Sequence, residues 1–89
     1  MIAKEIEIKN KLGLHARAAA KLVHTAARFK SSIKIKKGDE EVDGKSILGI
    51  LLLAAGRGTT ITIKANGEDE AEAVDAIETL INAKFDEVE

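Results

Sequence analysis

Ile2, Ile6 and Ile8 alternate with Glu5 and Glu7, and that period of two predicts a strand with one buried face. Asn10 to Leu14, with Gly13, reads as a loop. From Ala16 to Arg28 the rhythm becomes helical, with Ala19, Leu22, Val23 and Ala26 as one apolar stripe, and Ser31 and Ser32 break it. Ile33 and Ile35 alternate with Lys34 and Lys36 as a second strand; Gly38-Asp39 signals a turn, and Glu40 to Asp43 returns from it as a third. Lys45 to Ala54 reads as a short helix ended by Gly56 and Gly58, with Ile47, Ile50, Leu51 and Ala54 as its buried stripe. Thr60, Thr62 and Lys64 alternate with Ile61 and Ile63 as a fourth strand, and Asn66-Gly67 is a turn. A long helix over Asp69 to Phe85 follows, acidic at its start as the helix dipole prefers. Its stripe is Ala71, Val74, Ile77 and Ile81, and Phe85 if the helix runs that far.

The predicted order is βαββαβα. Each strand has only one apolar face, so one side of the sheet is covered and the other meets water. The expected fold class is α+β: an open-faced two-layer sandwich with a four-stranded antiparallel sheet and three helices on one face. Eighty-nine residues suffice for one core, so residues 1–89 are read as a single domain.

Composition narrows the function. With 45% apolar and 33% charged residues the chain is globular and not disordered. Phe29 and Phe85 are its only aromatic residues, too few for a base-stacking platform, and the net charge of −1 argues against a general nucleic-acid binder. Lys30, Lys34, Lys36 and Lys37 cluster locally, but strand alternation would divide them between faces, so they read as solvated sheet surface. The absence of cysteine excludes disulfides, cysteine metal sites and thiol catalysis. Ile47 to Ala55 is about half the length that spans a bilayer, and the charged N-terminus is unlike a signal peptide. A cytoplasmic, monomeric protein with no membrane or nucleic-acid partner is expected.

The candidate chemistry begins at His15, between the glycine-bearing loop and the first helix. The free N–H groups of a first helical turn and the positive end of the dipole lie there. Positive potential favours the neutral ring with its nucleophilic nitrogen, and the same N–H groups suit the oxygens of an attached phosphoryl group. Arg17, two residues on, offers a planar charged fork to those oxygens. Spacing alone is equally met by an ordinary helix-start histidine beside an exposed arginine, the commoner case. His24 lies off the apolar stripe and reads as a surface residue; two histidines make no convincing metal site.

Gly44-Lys45-Ser46 resembles the end of a P-loop and fails the test. Gly38 leaves five residues where four are needed, and Asp39, Glu40, Glu41 and Asp43 would repel a triphosphate. Ser46 remains as a helix cap, and a hydroxyl there also suits regulatory phosphorylation. The helix after it is apolar nearly all round, so Leu48 and Leu52, with Ile47 at the margin, are surplus to the core and favour a docking patch. Gly56-Arg57-Gly58 reads as a turn, with Arg57 a rim charge.

Lys11-Leu12-Gly13-Leu14-His15-Ala16-Arg17-Ala18-Ala19 and Val42-Asp43-Gly44-Lys45-Ser46-Ile47-Leu48-Gly49 resemble the two signature stretches of the HPr family, the histidine-containing phosphocarriers of the bacterial phosphoenolpyruvate-dependent phosphotransferase system. The resemblance runs essentially end to end and implies the same open-faced fold. It implies that His15 accepts a phosphoryl group at Nδ1 from Enzyme I and hands it to EIIA proteins or domains. Arg17 and the backbone N–H of Ala16 would stabilise it, and Ser46 would be the target of an HPr kinase/phosphorylase. Ala16 and Ala20 with Ile47, Leu48, Leu51 and Leu52 would form the docking face. The chain would be a carrier for sugar uptake or its regulation, without cofactor or metal, and not an independent catalyst. Two positions depart from the pattern: Ala18 stands where the family usually has proline, and Leu12 where sugar-system members often have serine or threonine. Asn10-Lys11-Leu12-Gly13 is closer to the nitrogen-type branch, NPr. A different class, a regulatory binding module working through Ser46 alone, is the main alternative; members of that kind lack the active histidine. A small hydrolase would need a carboxylate helper that the sequence does not place beside His15.

Overall fold

The alternating runs form β1 (Ile2–Glu7), β2 (Ser32–Lys37), β3 (Glu40–Asp43) and β4 (Thr60–Asn66), and the helical ones α1 (Ala16–Ala27), α2 (Ile47–Leu52) and α3 (Glu70–Asn82), in a computed structural model that describes residues 1–87. A tight turn over Lys84–Asp86 follows α3. The strands make one antiparallel sheet in the order β1-β4-β2-β3. Ile6 stands opposite Ile61, Ile35 opposite Ile63 and Ile33 opposite Ala65. These residues all lie on the helix-covered face. Ile33, Ile35, Ile61 and Ile63 from the sheet, with Ile8 just past β1, meet Leu22, Ile50, Leu53, Ile77 and Ile81 from the helical layer, each at most 1% exposed. Burying one such side chain contributes about 1.5–3 kcal/mol.

The opposite face is wet. Lys34 stands between Lys64 and Asp43, Lys36 between Thr62 and Glu41, and the Lys64 ammonium lies 3.3 Å from Glu41. Lys37 turns to the other side and its ammonium donates to the Leu53 carbonyl at 2.9 Å. The lysine cluster is divided as alternation requires.

Two helices differ from expectation. α3 runs over Glu70–Asn82 and not to Phe85, and Ala73 is buried where Ala71 had been expected. Ala71 and Ala73 flank the stripe at similar angles, and the seating of α3 against β1 and β4 turns the Ala73 side inward. α2 is shorter than Lys45 to Ala54 and is rotated: Ile50 and Leu53 go into the core, while Ile47 and Leu51 are 42% and 37% exposed. The rotation follows from Gly49, which rests on β3; a Cβ there would stand 3.2 Å from Cβ of Val42. Ala54 is exposed and ends α2, with φ at +50 in the left-handed region, so the glycines at 56 and 58 are not the terminators. Gly56 and Gly58 instead form the turn into β4, where the Thr59 N–H donates to the Gly56 carbonyl at 3.1 Å.

The connections are joined across the molecule at Asp69, the residue before α3. Its carboxylate accepts from the Lys30 N–H at 2.9 Å, the Ser31 N–H at 3.0 Å and the Ser31 hydroxyl at 2.5 Å. The Ser31 hydroxyl, then the Lys30 N–H, hold its pKa down from 3.8 to about 2. A carboxyl whose pKa falls on folding stabilises the fold above its unfolded value and loses that effect as pH drops through the folded one. Stability therefore falls between pH 3.8 and about 2 in part through this group, and Asp69→Asn should flatten that segment of an acid-unfolding curve followed by circular dichroism. An identical curve for the variant would remove Asp69 from the account. Ala54→Gly, which relieves a left-handed alanine at an exposed site, should raise unfolding stability by roughly 0.5–1 kcal/mol in urea.

Candidate functional site at the start of the first helix

The loop that carries His15 is positioned by a close backbone approach. Gly13 has φ +65, and a Cβ there would lie 2.6 Å from the Ala55 carbonyl oxygen and 2.8 Å from Cα of Gly56. Any other residue would push the loop off the segment that leaves α2. The N–H of the buried Leu14 donates to the Ala55 carbonyl at 2.9 Å. Next in the chain, His15 is the N-cap of α1, extended at φ −74 and ψ 178, and its carbonyl accepts from the Ala19 N–H at 2.8 Å. The N–H groups of Ala16, Arg17 and Ala18 that follow have no carbonyl one turn back to receive them. Ala18 is fully buried in this first turn.

The His15 side chain is 28% exposed and its Nε2 lies 2.5 Å from Oε2 of Glu87, itself only 10% exposed. Asn10, fully buried, donates from Nδ2 to the Gly13 carbonyl at 2.8 Å and to the Glu87 carboxylate at 3.2 and 3.3 Å. Asn10 thus ties the loop and the carboxylate together. The chain reaches this place through Lys84, Phe85 and Asp86, all non-glycine residues with φ between +56 and +59. A left-handed residue with a side chain costs roughly 1–2 kcal/mol, so the turn stores a few. Burial of Phe85 to 1% exposure and the Lys21 ammonium, which donates to the Phe85 carbonyl at 2.5 Å, hold it. Phe85 reaches the core from this turn and not from α3, which ends before it.

Leu12, His15, Ala16, Arg17, Lys21, Asp86 and Glu87 line one open groove of about 640 Å³. The structure therefore brings together His15, Ala16 and Arg17, with Arg17 exposed in the first turn. Ser46 is elsewhere, as the N-cap of α2, where its hydroxyl accepts from the Gly49 N–H at 3.1 Å. Ile47, Leu48, Leu51 and Leu52 are exposed on α2, Leu48 and Leu52 by about two-thirds, and α2 packs beside α1, on which Ala20 is half-buried. Lys45 is committed to structure: its ammonium donates to the Phe29 carbonyl at 2.8 Å, and a Cβ at Gly44 would stand 2.6 Å from Ile33. No cradle for a nucleotide forms there. His24 is exposed near the end of α1, and among the described residues no three His, Cys, Asp or Glu side chains gather as a metal site. No helix among them is long and apolar enough to cross a membrane.

Sequence reasoning did not find Asn10, Glu87 or Lys21. Glu87 is 72 positions from His15, and only the path of the chain after α3 brings them together. Asn10 stands in the loop already noted, but nothing local distinguishes it from a turn residue.

The chain matches the family model described as the PTS HPr component phosphorylation site over residues 2–83. The phosphocarrier protein HPr of Neisseria meningitidis serogroup A is 52% identical over the full length of both chains. The phosphocarrier protein NPr of Shewanella violacea is 46% identical, covering 97% of this chain and 94% of that one. The crystal structure of HPr-C-His from Thermoanaerobacter tengcongensis superimposes with a TM-score of 0.96 at 46% identity over all of both chains. HPr of that organism is also described as a dimer, with a TM-score of 0.79 at 49% identity over 92% of this chain and 94% of that one. With the family model, full-length relatives and the fold in agreement, the chain belongs to the HPr family of phosphocarriers of the phosphotransferase system.

Proposed function

We propose that His15 takes a phosphoryl group at Nδ1 from phosphorylated Enzyme I and passes it to an EIIA protein or domain in the cytoplasm, serving sugar uptake or its regulation. The observation that carries this reading is the placement of the partly exposed imidazole at the N-cap of a twelve-residue helix. The N–H groups of Ala16 and Arg17 stand at the positive helix end, where the oxygens of a bound phosphoryl group would be received. The Arg17 guanidinium lines the same groove and supplies a charge-assisted donor. The exposed apolar side chains of Ile47, Leu48, Leu51 and Leu52, with Ala20 beside them on α1, support docking of a protein donor. Ser46 supports a second role: phosphorylation by an HPr kinase/phosphorylase would place charge at the edge of that face.

Incubation with Enzyme I and radiolabelled phosphoenolpyruvate should give an acid-labile, alkali-stable label on the wild-type chain and none on His15→Ala. A wild-type chain that takes no label overturns the reading. Ser46→Asp should lower the rate of labelling and raise the KM of Enzyme I for this chain, since a charge on an apolar contact disfavours association. Unchanged kinetics would place Ser46 outside the contact.

A further inference from the structure

The contact between His15 and Glu87 has no part in the reading above, yet a buried asparagine, a lysine and a strained turn converge to make it. An ionised carboxylate only accepts hydrogen bonds, so a neutral His15 ring bonded to Glu87 carries its proton on Nε2. Nδ1 is then left with the lone pair, and among the described residues no hydrogen bond engages it. We propose that Glu87 is the positioning residue for phosphoryl transfer: its carboxylate holds the Nε2–H form of His15 and presents Nδ1 as the nucleophile at the start of α1. The proposal rests on the phosphocarrier reading and deepens it.

The step balances without a proton transfer. The Nδ1 lone pair forms the bond to phosphorus of a phosphorylated side chain on the donor protein, and the donor atom departs with the electrons of the bond that breaks. The proton stays on Nε2, so the ring changes from neutral to cationic while the Glu87 carboxylate faces it. In onward transfer the acceptor supplies the new electron pair and the N–P electrons return to Nδ1. Among the described residues lining the groove, Arg17 and Lys21 are cationic and Asp86 and Glu87 anionic. Arg17 stands on the first turn of α1, while Lys21 donates to the Phe85 carbonyl. Of these groups, Glu87 has its carboxylate within hydrogen-bond distance of the ring.

The backbone adds a second, independent observation. Three successive side-chain-bearing residues persist in the left-handed region only where their surroundings over-determine them, and such strain collects at functional sites. Here Phe85 is sunk in the core and Asn10 is fully buried against both the loop and Glu87. The turn delivers one carboxylate to one ring nitrogen.

Glu87→Ala and Glu87→Gln, in the full chain, separate the outcomes. The wild-type protein, labelled with 15N, should show a slowly exchanging Nε2–H of His15, which Glu87→Ala loses and Glu87→Gln partly restores through its amide oxygen. In transfer from Enzyme I, Glu87→Ala should lower kcat at least roughly ten- to a hundredfold, the range when a metal-ligating histidine loses the partner that orients it, with KM within about twofold. Glu87→Gln should fall between the two. Wild-type kcat and an unchanged ring proton in Glu87→Ala would overturn the proposal, as would a rise in KM alone. A wild-type chain that accepts no label defeats the phosphocarrier reading instead, and the ring spectrum still decides whether Glu87 holds the tautomer.

Discussion

A sheet with a single apolar face constrains the rest of the molecule. Isoleucine lines one face of β2 and β4 at alternate positions and joins it from β1 through Ile2 and Ile6, and Lys34, Lys36, Thr62 and Lys64 occupy the positions between on β2 and β4. All three helices must then lie on one side, because only there is apolar surface left to cover. Confinement to one layer also sets the site. α1 packs between α2 and α3, so the residues leaving α2 meet the loop that opens α1, and the turn after α3 closes over it.

At that meeting place backbone geometry decides more than side-chain size. Gly13 is required because a Cβ would strike Ala55 and Gly56, and the Leu14 N–H to Ala55 bond closes the same contact. The molecule tolerates left-handed alanine, lysine, phenylalanine and aspartate residues nearby, at Ala54 and Lys84–Asp86. Strain of this kind is offset by neighbours: Leu53 buried just before Ala54, Phe85 buried within its turn, and the hydrogen bonds of Lys21 and Asn10.

The electrostatics of the site are opposed by design of the fold. The start of α1 presents the positive end of its dipole and Arg17, which suit phosphoryl oxygens. Glu87 approaches the far nitrogen of the same ring with negative charge. On the proposed reading, a phosphoryl group arriving on His15 brings its negative oxygens to the helix start and leaves the ring cationic, so each charge would face its opposite. A carrier must hold its cargo without trapping it, and compensation on both sides of the imidazole serves that need better than a single strong clamp.

The sequence by itself determined the elements, their order and the layer they make, because periods of two and of 3.6 residues are local properties of the chain. It also singled out candidate residues for the chemistry: His15 and Arg17 lie within three positions of each other at one helical start. Tertiary structure decided the rotation of α2, since Gly49 resting on Val42, and not the apolar pattern, sends Ile50 and Leu53 inward. It decided the end of α3 too, where Ala73 replaces Ala71 and the chain leaves the helix before Phe85. Above all it decided the partner of His15. Glu87 and Asn10 become part of the site only through contacts between segments far apart in sequence, and no local pattern of residues encodes a distance between them.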